Sequence, residues 1–173
     1  MVNAASIACE IQGMLPAMEV PEHTQGREGF YHLTDMEGSV EKAKLSYIVR
    51  DHDADRFQDR LEVLRKIEKE INQKYGDKTV ELTIRDSYHN MLEVIREHME
   101  IVEIAKEAIA DHGMEPVEDP IRGGTDGAAL SFKGLPCPNL GTGGYGYHGP
   151  MEHMSVEGME TVTSILKSIV KKI

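Results

Sequence analysis

Between Asp51 and Tyr75 the apolar residues Phe57, Leu61, Leu64, Ile67 and Ile71 return every three or four positions, with Lys, Arg, Asp and Glu between them. That spacing is the period of an α-helix with one buried stripe, and a helix this long needs an apolar surface to lie on. Asp51 or Asp53 can cap its start and Gly76 its end. Its charges read as a solvated face. The flanking segments have the other period. From Glu41 to Arg50, Ala43, Leu45, Tyr47 and Val49 alternate with Lys42, Lys44, Ser46, Ile48 and Arg50. From Thr79 to Arg85, Val80, Leu82 and Ile84 alternate with Glu81, Thr83 and Arg85. Alternation of this kind marks half-buried strands. A further strand over Gly29 to Thr34, a turn at Asp35-Met36-Glu37-Gly38, and a leading helix from Val2 to Leu15 stopped by Pro16 and Pro21 complete the pattern. The expected class is α+β, a two-layer α/β sandwich with helices on one face of an antiparallel sheet.

Near His98 the helical register shifts, and a new helix runs through Ile101, Ile104, Ala105, Ala108 and Ile109 to Gly113. This predicts two parts, residues 1–98 and 99–173. The second part is dominated by glycine. Arg122-Gly123-Gly124-Thr125-Asp126-Gly127 is a tight turn poor in side chains, where backbone N–H groups can approach a ligand. Thr125 or Asp126 suits as N-cap of the apolar run that follows. A second glycine turn, Gly141 to Gly144, leads to Tyr147-His148-Gly149. An imidazole between glycines has little steric cover and can meet a ligand or a metal. Composition alone favours two surface turns around a short helix, with His148 solvated. The last amphipathic helix carries Val156, Met159, Val162, Leu166, Ile169 and Val170.

The net charge of −11 disfavours nucleic acid and anionic membranes as partners. Cys9 and Cys137 form no C-x-x-C pair and read as reduced thiols. No run reaches the ~18 apolar residues of a membrane span, and the first residues lack the basic and apolar regions of a signal peptide. The cytoplasm is the expected compartment.

Arg122-Gly-Gly-Thr-Asp-Gly127, Leu130-Ser-Phe-Lys-Gly-Leu-Pro-Cys-Pro-Asn139, Thr142-Gly-Gly144, Tyr147-His-Gly149, Glu28-Gly-Phe-Tyr-His-Leu33 and Tyr47-Ile-Val-Arg-Asp51 together resemble the peptidase T family. These are tripeptide aminopeptidases of the dizinc aminoacylase/carboxypeptidase clan. The family's His-x-Asp pair, Glu-Glu pair, further Asp and His-Pro-Gly precede this region and do not occur in the sequence. The resemblance therefore implies the C-terminal portion. It comprises a lid domain over residues 1–98 without its first strand, and the C-terminal part of an α/β zinc-exopeptidase catalytic domain over 99–173. An absent first strand would leave a sheet edge open to strand addition or homodimerisation.

By the same motif match, His148 is the family's last zinc ligand, the only one of the set here, and zinc is the implied cofactor, as two ions in the complete enzyme. Arg50 inherits the lid arginine that binds the peptide's carboxylate. Gly123, Gly124 and Thr125 would line the cleft, and Arg122 would help orient the substrate. No residue is assigned as catalytic, because the upstream ligands and the general-base glutamate are missing. Small peptides, tripeptides above all, are the implied partners. The chain alone is expected to be inactive. The alternative is a non-catalytic lid-type dimerisation or interaction module. Ala129, Gly141 and Pro150-Met151 depart from the family pattern and bear on substrate preference and loop pose.

Overall fold

Asn3 starts the first helix, its Oδ1 accepting from the amides of Ala5 and Ser6 at 2.9 and 3.3 Å. The computed structural model describes residues 2–87 and 89–173. Its architecture is α+β, helices with small antiparallel sheets. The chain divides into two compact units, Met1–Arg85 and Asp86–Ile173. The segment 86–98, read from the sequence as part of the lid, groups with the second unit.

In the first unit, helix α1 (Ala4–Met14) precedes a hairpin of β1 (Phe30–Gly38) and β2 (Ala43–Arg50), and α2 (Ala54–Tyr75) follows. The strands pair antiparallel from Phe30↔Arg50 to Gly38↔Ala43, with an irregularity in register between Leu33 and Asp35. The turn expected at 35–38 is strand instead. Glu37 lies opposite Lys44, a favourable cross-strand charge pair. Reversal happens at Ser39–Lys42, where the Ser39 amide donates to the Lys42 carbonyl at 2.7 Å and the Ser39 hydroxyl receives the amides of Glu41 and Lys42. The Ser39 and Val40 carbonyls also accept from Ala5 and Ala4, tying the turn to the start of α1.

Asp53 caps α2 through the amide of Arg56 at 2.9 Å, and Gly76 ends it at φ 114°. Ile7, Leu15, Tyr31, Leu64, Ile67 and Ile71 form the core, with Tyr47, Val49, Val80 and Leu82 packed against it. Sequence and core therefore agree on which side of α2 and of β2 is apolar. Tyr47 adds a buried polar tip, its hydroxyl donating to Gln12 Oε1 at 2.6 Å.

Residues 79–85 are not the strand that their alternation predicts. Both backbone groups of Val80 bond the side-chain amide of Asn72, at 2.8 and 2.9 Å, and the Leu82 amide donates to Glu68 at 2.8 Å. Side chains of α2 take the place of a neighbouring strand. Val80 and Leu82 still face inward, so the alternation reported burial correctly and pairing wrongly.

The second unit holds α3 (Leu92–Ile95), α4 (Met99–Ala110), α5 (Asp126–Ser131), the short pair β3 (Gly144–Tyr145) and β4 (His153–Met154), and α6 (Val156–Lys172). Helices α4 and α6 pack together, with Ala105, Ala108 and Ile165 buried. His112 Nε2 lies 3.0 Å from Ser168 Oγ, and Lys172 pairs with Glu107 and Asp111. The ion pairs are exposed and add little to stability. No helix is long and apolar enough to cross a membrane among the described residues.

Candidate functional site: a glycine turn, an exposed histidine and a strand-end arginine

Thr125 is the N-cap of α5, as its place before the apolar run predicted. Its Oγ1 accepts from the Ala128 amide at 3.2 Å and from Asn139 Nδ2 at 3.1 Å. Ser131, buried at the end of α5, donates to the Gly127 carbonyl at 2.8 Å and accepts the Cys137 amide at 3.0 Å. Gly127 itself has no room for a side chain, because a Cβ would stand 2.6 Å from the Cys137 carbonyl oxygen. The turn at Gly123–Gly124–Thr125 is thus fastened to the segment Leu135–Asn139 by hydrogen bonds and by close backbone approach. Gly123 and Gly124 are exposed, and Arg122 and Thr125 are half-buried. A Cβ at Gly123 would meet nothing within 4 Å, so open space stands before the turn. Four of the five residues read as substrate-contacting from the sequence, Arg122, Gly123, Gly124 and Thr125, follow one another in this turn, and the fifth, Arg50, belongs to the first unit.

The histidine loop is built on β3 and β4. Gly143 and Gly146 hold φ of 76° and 65°, and His148 itself sits at φ 62°, a conformation uncommon for any residue with a Cβ. The His148 amide donates to the Glu152 carboxylate at 3.0 Å, and the Gly149 amide to the Gly146 carbonyl at 3.1 Å. Tyr147 reaches back to Thr142, oxygen to oxygen at 2.9 Å, and Tyr145 stacks on His153 with ring centroids 5.5 Å apart. The His148 side chain is exposed. One imidazole can fill one coordination position, whereas a tetrahedral zinc needs four donors. No three His, Cys, Asp or Glu side chains converge on a metal-sized site among the described residues. The residues present do not by themselves fit a metal centre.

Arg50 belongs to the first unit, at the end of β2 and opposite Phe30. It is half-buried. The residue beside it is the more telling one. Asp51 is 1% exposed in its side chain, and its Oδ2 accepts from Arg60 Nε at 2.9 Å. Arg60, 14% exposed, also bonds the Glu19 carboxylate and lies over the Tyr31 ring. Burial would lower the Arg60 pKa, but the carboxylates of Asp51 and Glu19 outweigh it and hold the guanidinium above its ordinary value. The sequence reading placed every charge of α2 in solvent, and Arg60 contradicts it. The signal was there, because Arg60 stands three residues after Phe57 and four before Leu64, within the apolar stripe. Asn139, Ser131 and Glu152 also went unassigned, since their partners are backbone groups or side chains that sequence spacing does not reveal.

A profile of Peptidase family M20/M25/M40 matches residues 7–172. The chain belongs to that family. Among curated relatives, the Peptidase T of Caldanaerobacter subterraneus subsp. tengcongensis is 50% identical over 171 residues, 99% of this chain and 42% of that protein. The Peptidase T of Edwardsiella ictaluri is 51% identical over 170 residues, 98% of this chain and 41% of that protein. The chain therefore spans about two fifths of the length of these relatives. Among solved structures, the aminopeptidase PepT from Bacillus cereus aligns with a TM-score of 0.61 at 17% identity, covering 99% of this chain and 45% of that one. At that identity the likeness speaks to the fold.

Proposed function

We propose that this chain is the C-terminal portion of a zinc-dependent tripeptide aminopeptidase, an enzyme that releases the N-terminal residue of tripeptides. The observation that carries the reading is identity at half of all positions to proteins named Peptidase T, over almost the whole chain. In this reading residues 1–98 are lid and 99–173 catalytic portion. Arg50 grips the substrate's terminal carboxylate, for which a guanidinium offers two parallel N–H donors. The turn Arg122–Thr125 lines the cleft, and His148 offers one neutral imidazole to a zinc ion. When bound, the metal would lower the pKa of its water and polarise the scissile carbonyl. The chain alone turns over no peptide, because one histidine cannot hold the metal and no general base accompanies it. The working compartment is the cytoplasm.

The test is complementation. The purified chain is assayed on trialanine with zinc, alone and after co-expression with the upstream portion of a Peptidase T relative. Activity only in the second case supports the reading, and should vanish with His148→Ala. Hydrolysis by the chain alone, or calorimetry finding two tight zinc sites lost together in His148→Ala, would overturn it. A second reading has one observation in its favour. The β1–β2 ribbon pairs with no third strand among the described residues, and a ribbon without further strands can add one from a second copy of the chain. Sedimentation showing a tight homodimer, together with failed complementation, would favour that interaction module.

A further inference from the structure

We infer that Glu152 is the positioning residue of His148, its carboxylate selecting the left-handed backbone there and so aiming the bond that carries the imidazole. This rests on the reading of His148 as the residue that meets a ligand. Residues 146–152 join β3 to β4 through two consecutive turns. The first is closed by the Gly149 amide donating to the Gly146 carbonyl at 3.1 Å, and the second by the Glu152 amide donating to the Gly149 carbonyl at 3.1 Å. Pro150 stands second in the latter turn, a place that its fixed φ suits. That turn brings the chain back, and the Glu152 carboxylate accepts the His148 amide at 3.0 Å. His148 stands third in the first turn with φ 62°, whereas Tyr147 before it has no positive φ. A positive φ at the third place alone marks a type II turn, where glycine or asparagine is usual.

Closure of the turn does not explain that conformation. A bond from the fourth amide to the first carbonyl serves a type I turn equally, and there the third residue keeps the negative φ that a Cβ prefers. The two types differ by a flip of the central peptide, which exchanges the sides taken by the Tyr147 carbonyl and the His148 amide. The Tyr147 hydroxyl, 2.9 Å from Thr142 Oγ1, holds the tip of a side chain and not that peptide. Glu152 is what tells the two forms apart. In the left-handed form the His148 amide meets the carboxylate, a charge-assisted hydrogen bond. In the flipped form the Tyr147 carbonyl would face it, acceptor against acceptor. Cβ follows from the positions of N, Cα and C, so the flip would re-aim the Cα–Cβ bond of His148. Rotation about χ1 and χ2 remains with the exposed imidazole.

The experiment uses the full chain and two NMR readouts at this turn. In the left-handed form the His148 amide proton lies close to Tyr147 Hα, and in the flipped form close to the Tyr147 amide proton, so Overhauser contacts report the peptide. The Cα–Hα dipolar coupling of His148 in a weakly aligned sample reports the frame that carries Cβ. Wild type is compared with Glu152→Ala and with Glu152→Gln, which keeps an acceptor oxygen at the same reach. Thr142→Val is the control, since it removes the partner of the Tyr147 hydroxyl in the same loop and leaves the amide alone. Wild type should show the Tyr147 Hα contact. Glu152→Ala should lower the ratio of that contact to the amide–amide contact by about fivefold or more, the factor that one hydrogen bond to a carboxylate supplies, and should change the coupling. Glu152→Gln and Thr142→Val should stay within about twofold of wild type, the scatter of sites that do not share the interaction. The positioning role is overturned by a wild type without the Hα contact, by Glu152→Ala within about twofold of wild type, or by a coupling that ignores the flip. Equal loss in Thr142→Val overturns it too, because Glu152 would then be one of several ties that steady the loop. The reading of His148 fails separately, if His148→Ala leaves hydrolysis by the co-expressed pair intact.

Discussion

At Gly29 the absence of a side chain is a packing requirement. A methyl there would overlap a carboxylate and a main-chain carbonyl together, and the carbonyl cannot swing aside without breaking the pairing of Phe30 with Arg50. Gly29→Ala is expected to cost about 3 kcal/mol, the upper range for overpacking, measured as a fall in the urea midpoint at unchanged slope. Tyr47 makes a different kind of prediction. Burial pushes its hydroxyl up to about 12 from the ordinary 10.0. The folded chain therefore keeps a proton that the unfolded chain releases at lower pH. The associated stability is complete below about pH 10 and is lost as pH rises towards 12. A spectrophotometric titration should find Tyr47 ionising late, and Tyr47→Phe should flatten that alkaline loss. Equal alkaline loss in the variant would assign the effect elsewhere.

Among the elements, α2 does more than cover a sheet. Asn72 and Glu68 accept and donate in place of a strand, holding an extended segment that has no ladder partner among the described residues. Asn72→Ala should free the Val80 amide and speed its hydrogen exchange, and that of Leu82 with it, while amides in the middle of α2 stay protected. Uniform acceleration along α2 would mean that the helix itself had been loosened. The same segment shows how far the sequence could be read. Period 3.6 at 57–71 and period 2 at 43–49 reported which faces are buried, because burial follows from the geometry of one element. The helix caps Asp53, Gly76 and Thr125 were legible for the same reason. Pairing is a relation between elements, so the alternation at 80–84 could not say that an amide side chain would take the neighbour's place. The hairpin turn moved from 35–38 to 39–42 because Asp35 and Gly38 look like turn residues, while it is Ser39 whose hydroxyl closes the reversal. At the candidate site, the glycine turn and His148 were read from motif. Asn139 and Glu152 act on them through hydrogen bonds to Thr125 and to the His148 amide, and Arg60 acts within the first unit on Asp51 and Glu19, contacts that sequence spacing does not reveal.

For the molecule as a whole, the core of the first unit is drawn entirely from residues 7–82. A chain ending at Arg85 is therefore expected to fold by itself and to unfold in one cooperative transition, while Ile71→Ala in it should cost about 2–5 kcal/mol, since Ile71 is 1% exposed. A non-cooperative melt of residues 1–85 would mean that this core needs the rest of the chain. Chains spanning two fifths of their relatives raise the question of which tasks such a part can perform unaided. The Asp51–Arg60 ion pair and the hydrogen bonds of the glycine turn at 123–125 each lie within one unit. The zinc site proposed above would need donors beyond His148.

The left-handed backbone of His148 has a consequence for selection. Glycine would be at ease there, as it is at Gly143 and Gly146, whereas a side chain in that conformation costs about 1–2 kcal/mol. His148→Gly should therefore raise stability, by about 0.5 kcal/mol once the greater freedom of unfolded glycine is counted. A thermal melt that shifts upward would identify His148 as a residue whose backbone conformation costs stability, which is what the proposed work of its imidazole requires. A downward shift would instead make His148 part of what holds the loop.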